Sequence, residues 1–192
     1  MTSPIRIGLI GMGTVGTGVV RVLQDSAEHI SRQAGRAVLV DHVVVQDPSK
    51  QRSIELPGDQ ISNDFAQVRD NPDISIVALL LGGLEPARTL AIELLKSGKD
   101  LVTANKALLA EHGPELFGVA HEMGRSIAFE AAVAGGIPIV SAISECLTGN
   151  RISSIRGILN GTSNFILTKM EQDGTDYNEV LTLAQSEGYA EA

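Results

Sequence analysis

The chain has 192 residues, with 15 lysines and arginines against 23 aspartates and glutamates, a formal net charge of −8. No basic stripe is available to neutralise a phosphate backbone, so nucleic acid is excluded as a main partner, while a single nucleotide held by backbone amides is not. One cysteine, Cys146, excludes an intrachain disulfide framework, and Met1-Thr2-Ser3-Pro4 leads straight into the first predicted strand with no secretory leader, so a cytoplasmic protein is expected. Apolar residues make up 43% and aromatics only 3%, so the core is built from Val, Ile, Leu and Ala. The longest apolar run, residues 76–81, suits a buried strand and is far too short for a membrane span.

The first predicted strand, Ile5-Arg6-Ile7-Gly8-Leu9-Ile10, runs into Gly11-Met12-Gly13-Thr14-Val15-Gly16. That is G-x-G-x-x-G spacing, and an amphipathic helix follows on Val15, Val19, Val20, Val22 and Leu23, to about residue 27. In this context the glycines read as a dinucleotide-binding turn. Gly11 permits the tight turn, Gly13 admits a pyrophosphate close to the backbone, and Gly16 lets the helix approach the strand. The helix N-terminus offers free N–H groups and partial positive charge. Residues 28–36 extend the helix or form a loop. Residues 37–45 read as the second strand, closed by the loop signal Gln46-Asp47-Pro48-Ser49-Lys50. Residues 51–64 look irregular, and a short helix is placed at 65–69.

Residues 73–81 form the next strand, turned by Gly82-Gly83. Pro86 opens a helix to residue 96, with Gly98 as its C-cap. Residues 100–103 are a strand and 106–123 mostly helix, broken or restarted at Gly113-Pro114; 126–129 are a further strand. This alternation predicts an α/β fold with a doubly wound parallel sheet. Beyond Glu130 the character changes. Ala134-Gly135-Gly136-Ile137-Pro138 is a break, 139–147 reads as a helix, 151–159 as a strand, and 163–170 and 177–187 as helices. The boundaries are accordingly set at 1–134 for a nucleotide-binding domain and 135–192 for an incomplete second domain.

Four segments are candidates for chemistry. Thr103-Ala104-Asn105-Lys106 sits at the C-terminal edge of a strand, where open α/β sheets bind ligands. Lys106 there serves as a proton donor or electrostatic stabiliser, and a cation at a helix start runs against the helix dipole. Glu130 and the small residues after it offer a carboxylate and carbonyls to a hard cation, although a plain linker explains the spacing better. Asn160-Gly161-Thr162-Ser163-Asn164 is either a ligand-facing loop or a capping turn in which Ser163 or Thr162 is the N-cap. Gly188-Tyr189-Ala190-Glu191 ends on a carboxylate suited to a substrate ammonium group or simply to solvent. Cys146 reads as core, and His29, His42, His112 and His121 have no metal-ligand spacing.

Together with Gly82-Gly83-Leu84-Glu85-Pro86-Ala87, Val102-Thr103-Ala104-Asn105-Lys106-Ala107-Leu108, Glu130 to Pro138, Gly157 to Leu167 and Gly188 to Ala192, the glycine fingerprint resembles the N-terminal half of homoserine dehydrogenases. The resemblance covers essentially the whole chain. It implies a Rossmann-type domain followed by the start of an α+β catalytic and dimerisation domain. It also implies an NAD- or NADP-dependent oxidoreductase that interconverts L-homoserine and L-aspartate 4-semialdehyde on the route to threonine, methionine and isoleucine.

By that resemblance Lys106 lies beside nicotinamide and substrate, and Gly11, Gly13, Thr14, Val15, Gly16, Gly82, Gly83 and Gly188 lie along the cofactor. Glu191 binds the substrate amino group. Glu130 and the carbonyls of Val133, Gly135 and Ile137 hold sodium. Family members continue with a substrate-binding aspartate and a second lysine, and are homodimers. Relatives often carry a glutamate where this chain has Leu79, and an arginine for the NADP 2′-phosphate at the end of strand two. Here Gln46-Asp47 stands in that place, which favours NAD, with Lys50 able to reach a 2′-phosphate. The alternative is a non-catalytic dinucleotide-binding module or an inactive fragment.

Overall fold

The computed structural model describes residues 3–158 and 160–190. These divide into two compact units, Met1–Ala132 and Val133–Ala192. In the first, strands β1 (Ile5–Ile10), β2 (Val38–Val44), β3 (Ile61–Ser62), β4 (Ile74–Leu79), β5 (Asp100–Thr103) and β6 (Ile127–Ala128) form one parallel sheet in the order β3-β2-β1-β4-β5-β6. The chain thus starts at the middle of the sheet, works outward to one edge, and returns to build the other half. That reversal beside β1 is the crevice where doubly wound sheets take their ligands.

Successive side chains along a strand face opposite layers. Ile10, Val44, Val77 and Leu79 pack against Leu94 and Leu95 of α4 (Ala87–Lys96) and Leu108 and Leu116 of α5 (Lys106–Glu122). On the other face Leu9, Val43, Val45 and Ala78 meet Val20 of α1 (Thr14–Asp25). Helix α2 (Ala27–Ala34) follows after a break at Ser26 and ends on Gly35, whose φ is 72°. The short α3 (Ala66–Arg69) packs on a face of the sheet through Val68, over the central strand β1, and leaves room only for hydrogen at Gly8: a Cβ there would lie 2.5 Å from Val68 Cγ1.

The structure departs from the sequence expectations at several points. Residues 51–64 are not wholly irregular, because Gly58–Gln60 makes a single 3-10 turn and Ile61–Ser62 pairs with β2. Two residues are too few for a period to show. Helix α5 runs unbroken through Gly113-Pro114. Proline costs a helix about 3 kcal/mol, and burial of Leu108, Gly113, Leu116 and Ala120 on either side of it opposes that cost.

In the second unit α6 (Ile139–Ser141) passes into a π-helical turn at Ala142–Cys146, and α7 (Gly161–Asp173) and α8 (Tyr177–Ser186) pack through Ile166, Val180 and Ala184. Cys146 is exposed rather than core, since no residue of 139–146 is buried. The strand expected at 151–159 is absent among the described residues. Ile152, Ile155 and Ile158 are exposed there, and the described residues of the unit include no neighbouring strand to satisfy their backbone groups.

Candidate functional site

Register places the candidate loops side by side. Ile10 is level with Val44 on β2 and with Leu79 on β4, and Leu79 is level with Thr103 on β5. The segments beginning at Gly11, Val45, Leu80 and Ala104 therefore leave the sheet along one edge. Backbone bonds from Gly11 N to Val44 O (2.9 Å) and from Leu80 N to Ile10 O (2.8 Å) extend the ladder past the strand ends.

The three glycines of the turn do different work. Gly11 has φ 93°, a left-handed value that suits glycine, and a Cβ there would lie 2.9 Å from Leu80 O. A Cβ on Gly16 would lie 2.2 Å from Gly11 O, so only hydrogen allows α1 to approach the turn. A Cβ on Gly13 would meet nothing within 4 Å. Gly13 is also the N-cap of α1, with no side-chain capping bond, and the first turn carries no acidic residue. Unsatisfied helix donors facing open space beside a glycine form an anion site. Thr14 and Val15 occupy the first turn, both exposed.

At the end of β2, Gln46, Asp47 and Lys50 are all exposed. The Asp47 carboxylate accepts from Ser49 N (2.9 Å) and Ser49 Oγ (2.6 Å), and these bonds hold its pKa below the usual carboxylate value. Arg52, which sequence reading did not single out, donates to the carbonyls of Asp47 (2.7 Å), Lys50 (2.7 Å) and Pro48 (3.3 Å) and folds the loop upon itself. No periodicity or motif marks such a fork, because its acceptors are backbone atoms.

Lys106 is the exposed first residue of α5, and Gly82 and Gly83 are exposed in the loop after β4. Between them lies Asn105, 9% exposed. The Thr103–Lys106 motif by itself assigns it no role, although an asparagine before a helix is a recognisable capping signal. An apolar cleft of about 480 Å³ adjoins this edge, with Val15, Val19, Leu80, Val102, Thr103 and Ala104 among its walls.

In the second unit the cap of α7 is Asn160, which accepts from Ser163 N (2.7 Å), rather than Thr162 or Ser163, because the helix already begins at Gly161 and both of those residues lie inside its first turn. Thr162 Oγ1 donates to Tyr189 O, and the Phe165 and Tyr189 rings lie 4.9 Å apart. Two candidate segments far apart in sequence, 160–164 and 188–190, are thereby joined. Gly188 turns the chain there with φ 78°. Glu191 lies outside the described residues. Of the expected sodium donors, Glu130 sits in the 3-10 turn Glu130–Ala132 that closes the first unit, while Val133, Gly135 and Ile137 open the second. All four offer hard oxygen, the donor chemistry such a cation takes. Among the described residues no group of three or more His, Cys, Asp or Glu side chains could hold a metal. No helix among them is long and apolar enough to cross a membrane.

Comparison with known proteins adds an independent line. Residues 11–130 match the family model for the NAD binding domain of homoserine dehydrogenase, and residues 138–192 match the homoserine dehydrogenase model. Homoserine dehydrogenases of a Synechocystis strain and of Bacillus subtilis are 47% and 45% identical over 188 residues, 98% of this chain and 43% of each of theirs. The crystal structure of a homoserine dehydrogenase from Thiobacillus denitrificans superimposes with a TM-score of 0.89 at 48% identity, covering 99% of this chain and 44% of that one. The chain spans less than half the length of these relatives.

Proposed function

Because this chain belongs to the homoserine dehydrogenase family, we propose that the protein interconverts L-homoserine and L-aspartate 4-semialdehyde with a nicotinamide dinucleotide. In the oxidative direction the substrate's terminal hydroxyl loses a proton and its carbon gives up a hydride; the dinucleotide, when bound, supplies the hydride acceptor. The observation that carries the reading is the uncapped start of α1 facing open space at Gly13, on the same sheet edge as Lys106.

Each residue then has a physical task. The N–H groups of Thr14, Val15 and Gly16 hold the pyrophosphate, and Gly13 leaves room for it. Gly82 and Gly83 border the nicotinamide end, where side chains would crowd a ring. Lys106 places positive charge at the reacting oxygen and moves a proton at that atom. Its place at the start of α5, against the helix dipole, is a small stability penalty tolerated for function. At the other end of the cofactor, the ionised Asp47 favours a ribose 2′-hydroxyl and repels a 2′-phosphate, so NAD is the preferred cofactor.

The test is homoserine-dependent reduction of NAD⁺ and NADP⁺ by the intact enzyme. Turnover with a higher kcat/KM for NAD⁺ is expected. A preference for NADP⁺ would assign the 2′ contact to Lys50 instead of Asp47, and no turnover with either dinucleotide would refute the activity.

A further inference from the structure

Asn105 does more than cap α5. Its Oδ1 accepts from Leu108 N at 3.0 Å, the capping bond. Its amide nitrogen also donates both protons, to Leu81 O at 2.9 Å and to Gly83 O at 2.6 Å. Its own backbone N–H donates to Thr103 Oγ1 at 3.2 Å, and Thr103 is only 3% exposed. One buried side chain thus ties the loop after β4 to the start of the helix that carries Lys106.

The choice of residue type is informative. Capping needs one acceptor, and serine, threonine or aspartate would provide it equally well. Accepting one bond while donating two is beyond all three: aspartate has no donor when ionised, and a hydroxyl has one. The reverse amide orientation would set Oδ1 against two carbonyl oxygens. Only an amide meets all three partners, so the loop 81–83 and not the helix selects asparagine.

Resting on the reading of Lys106 and Gly82-Gly83 given above, we propose that Asn105 is a positioning residue that fixes the distance between Lys106 and the nicotinamide-facing loop, by capping the first turn of α5 at Leu108 N while donating to the carbonyls of Leu81 and Gly83. It touches neither substrate nor cofactor. Without it, α5 still starts at Lys106, but the 81–83 loop loses its two donors and the two sides of the site move independently.

Asn105→Ser separates these roles, because serine keeps the cap and drops the bridge. In the intact enzyme Asn105→Ser should melt cooperatively near the parent temperature, bind ADP-ribose, which lacks nicotinamide, within about twofold of the parent, and lose at least tenfold in kcat. Asn105→Asp, which places a carboxylate against two carbonyls, should lose more. A wild-type kcat in Asn105→Ser would overturn the proposal. Equal weakening of ADP-ribose and of the full dinucleotide would overturn it too, by showing a general effect on the domain. Loss of cooperative melting in Asn105→Ser would do the same, by making Asn105 a folding residue. Failure of the underlying reading is seen separately: Lys106→Ala would then retain the parent rate whatever Asn105 does.

Discussion

At positions 13 and 16 the same atom, a single Cβ, has opposite consequences. At Gly16 it would lie 2.2 Å from Gly11 O, and at Gly13 it would meet nothing within 4 Å. Gly16→Ala is therefore expected to disrupt the turn and lower stability, while Gly13→Val should fold normally and bind dinucleotide at least tenfold more weakly, read by calorimetric titration beside a thermal melt. A Gly13→Val variant with parental affinity would remove the pyrophosphate from this turn. Lys106→Ala should cut turnover about 100-fold or more with little change in melting, since its ammonium contributes nothing to the core. Asp47→Asn should shift selectivity toward NADP by about tenfold, the scale of one screened charge at close range, measured as the ratio of kcat/KM values. The glycines and Lys106 were legible in the sequence because spacing and edge position carry their meaning. Asn105 and Arg52 were not, because their partners are carbonyls brought close only by the folded chain.

Among the elements, short strands rich in Val, Ile and Leu are marked by apolar runs closed by turn signals, which is why β1, β2, β4 and β5 were legible. The two-residue β3 had no period to display, and α5 concealed itself behind Gly113-Pro114, residues that locally argue for a break. Pro114 is exposed, so its ring adds no core packing. Pro114→Ala restores a backbone donor inside α5 and should stabilise the domain by about 1–3 kcal/mol, seen as a raised melting temperature. Helices α4 and α5 are also joined at the surface, where Arg88 Nε donates to Glu115 Oε2 at 2.6 Å. The bonds from Arg88, then its charge, hold the Glu115 pKa below its ordinary 4.5. A carboxylate depressed in the folded state adds stability above its unfolded pKa and loses it as pH falls through the folded value. The melting difference between the parent and Glu115→Gln should be present at neutral pH and close progressively below about pH 4.5.

For the whole molecule, the parallel doubly wound sheet was legible from alternation and the opening glycines, and it brings the candidate loops of the first unit that follow β1, β2, β4 and β5 to one edge. The second unit was read less well. Its helices were legible at 163–170 and 177–187, but local sequence, which suggests a strand at 151–159, cannot supply the partner that a strand's backbone requires. The hydrogen bond from Thr162 to Tyr189 shows what such patterning omits, since it joins two segments whose nearness no local rule implies.

The central claim, that the glycine turn and Lys106 serve one hydride-transfer site, is tested most directly by measuring homoserine-dependent reduction of NAD⁺ in the intact enzyme for the parent, Gly13→Val and Lys106→Ala, with dinucleotide affinity measured on the same samples. Gly13→Val is expected to lose affinity, and Lys106→Ala to lose turnover while its affinity for ADP-ribose is unchanged. Parental turnover in Lys106→Ala, or parental affinity in Gly13→Val, would contradict it.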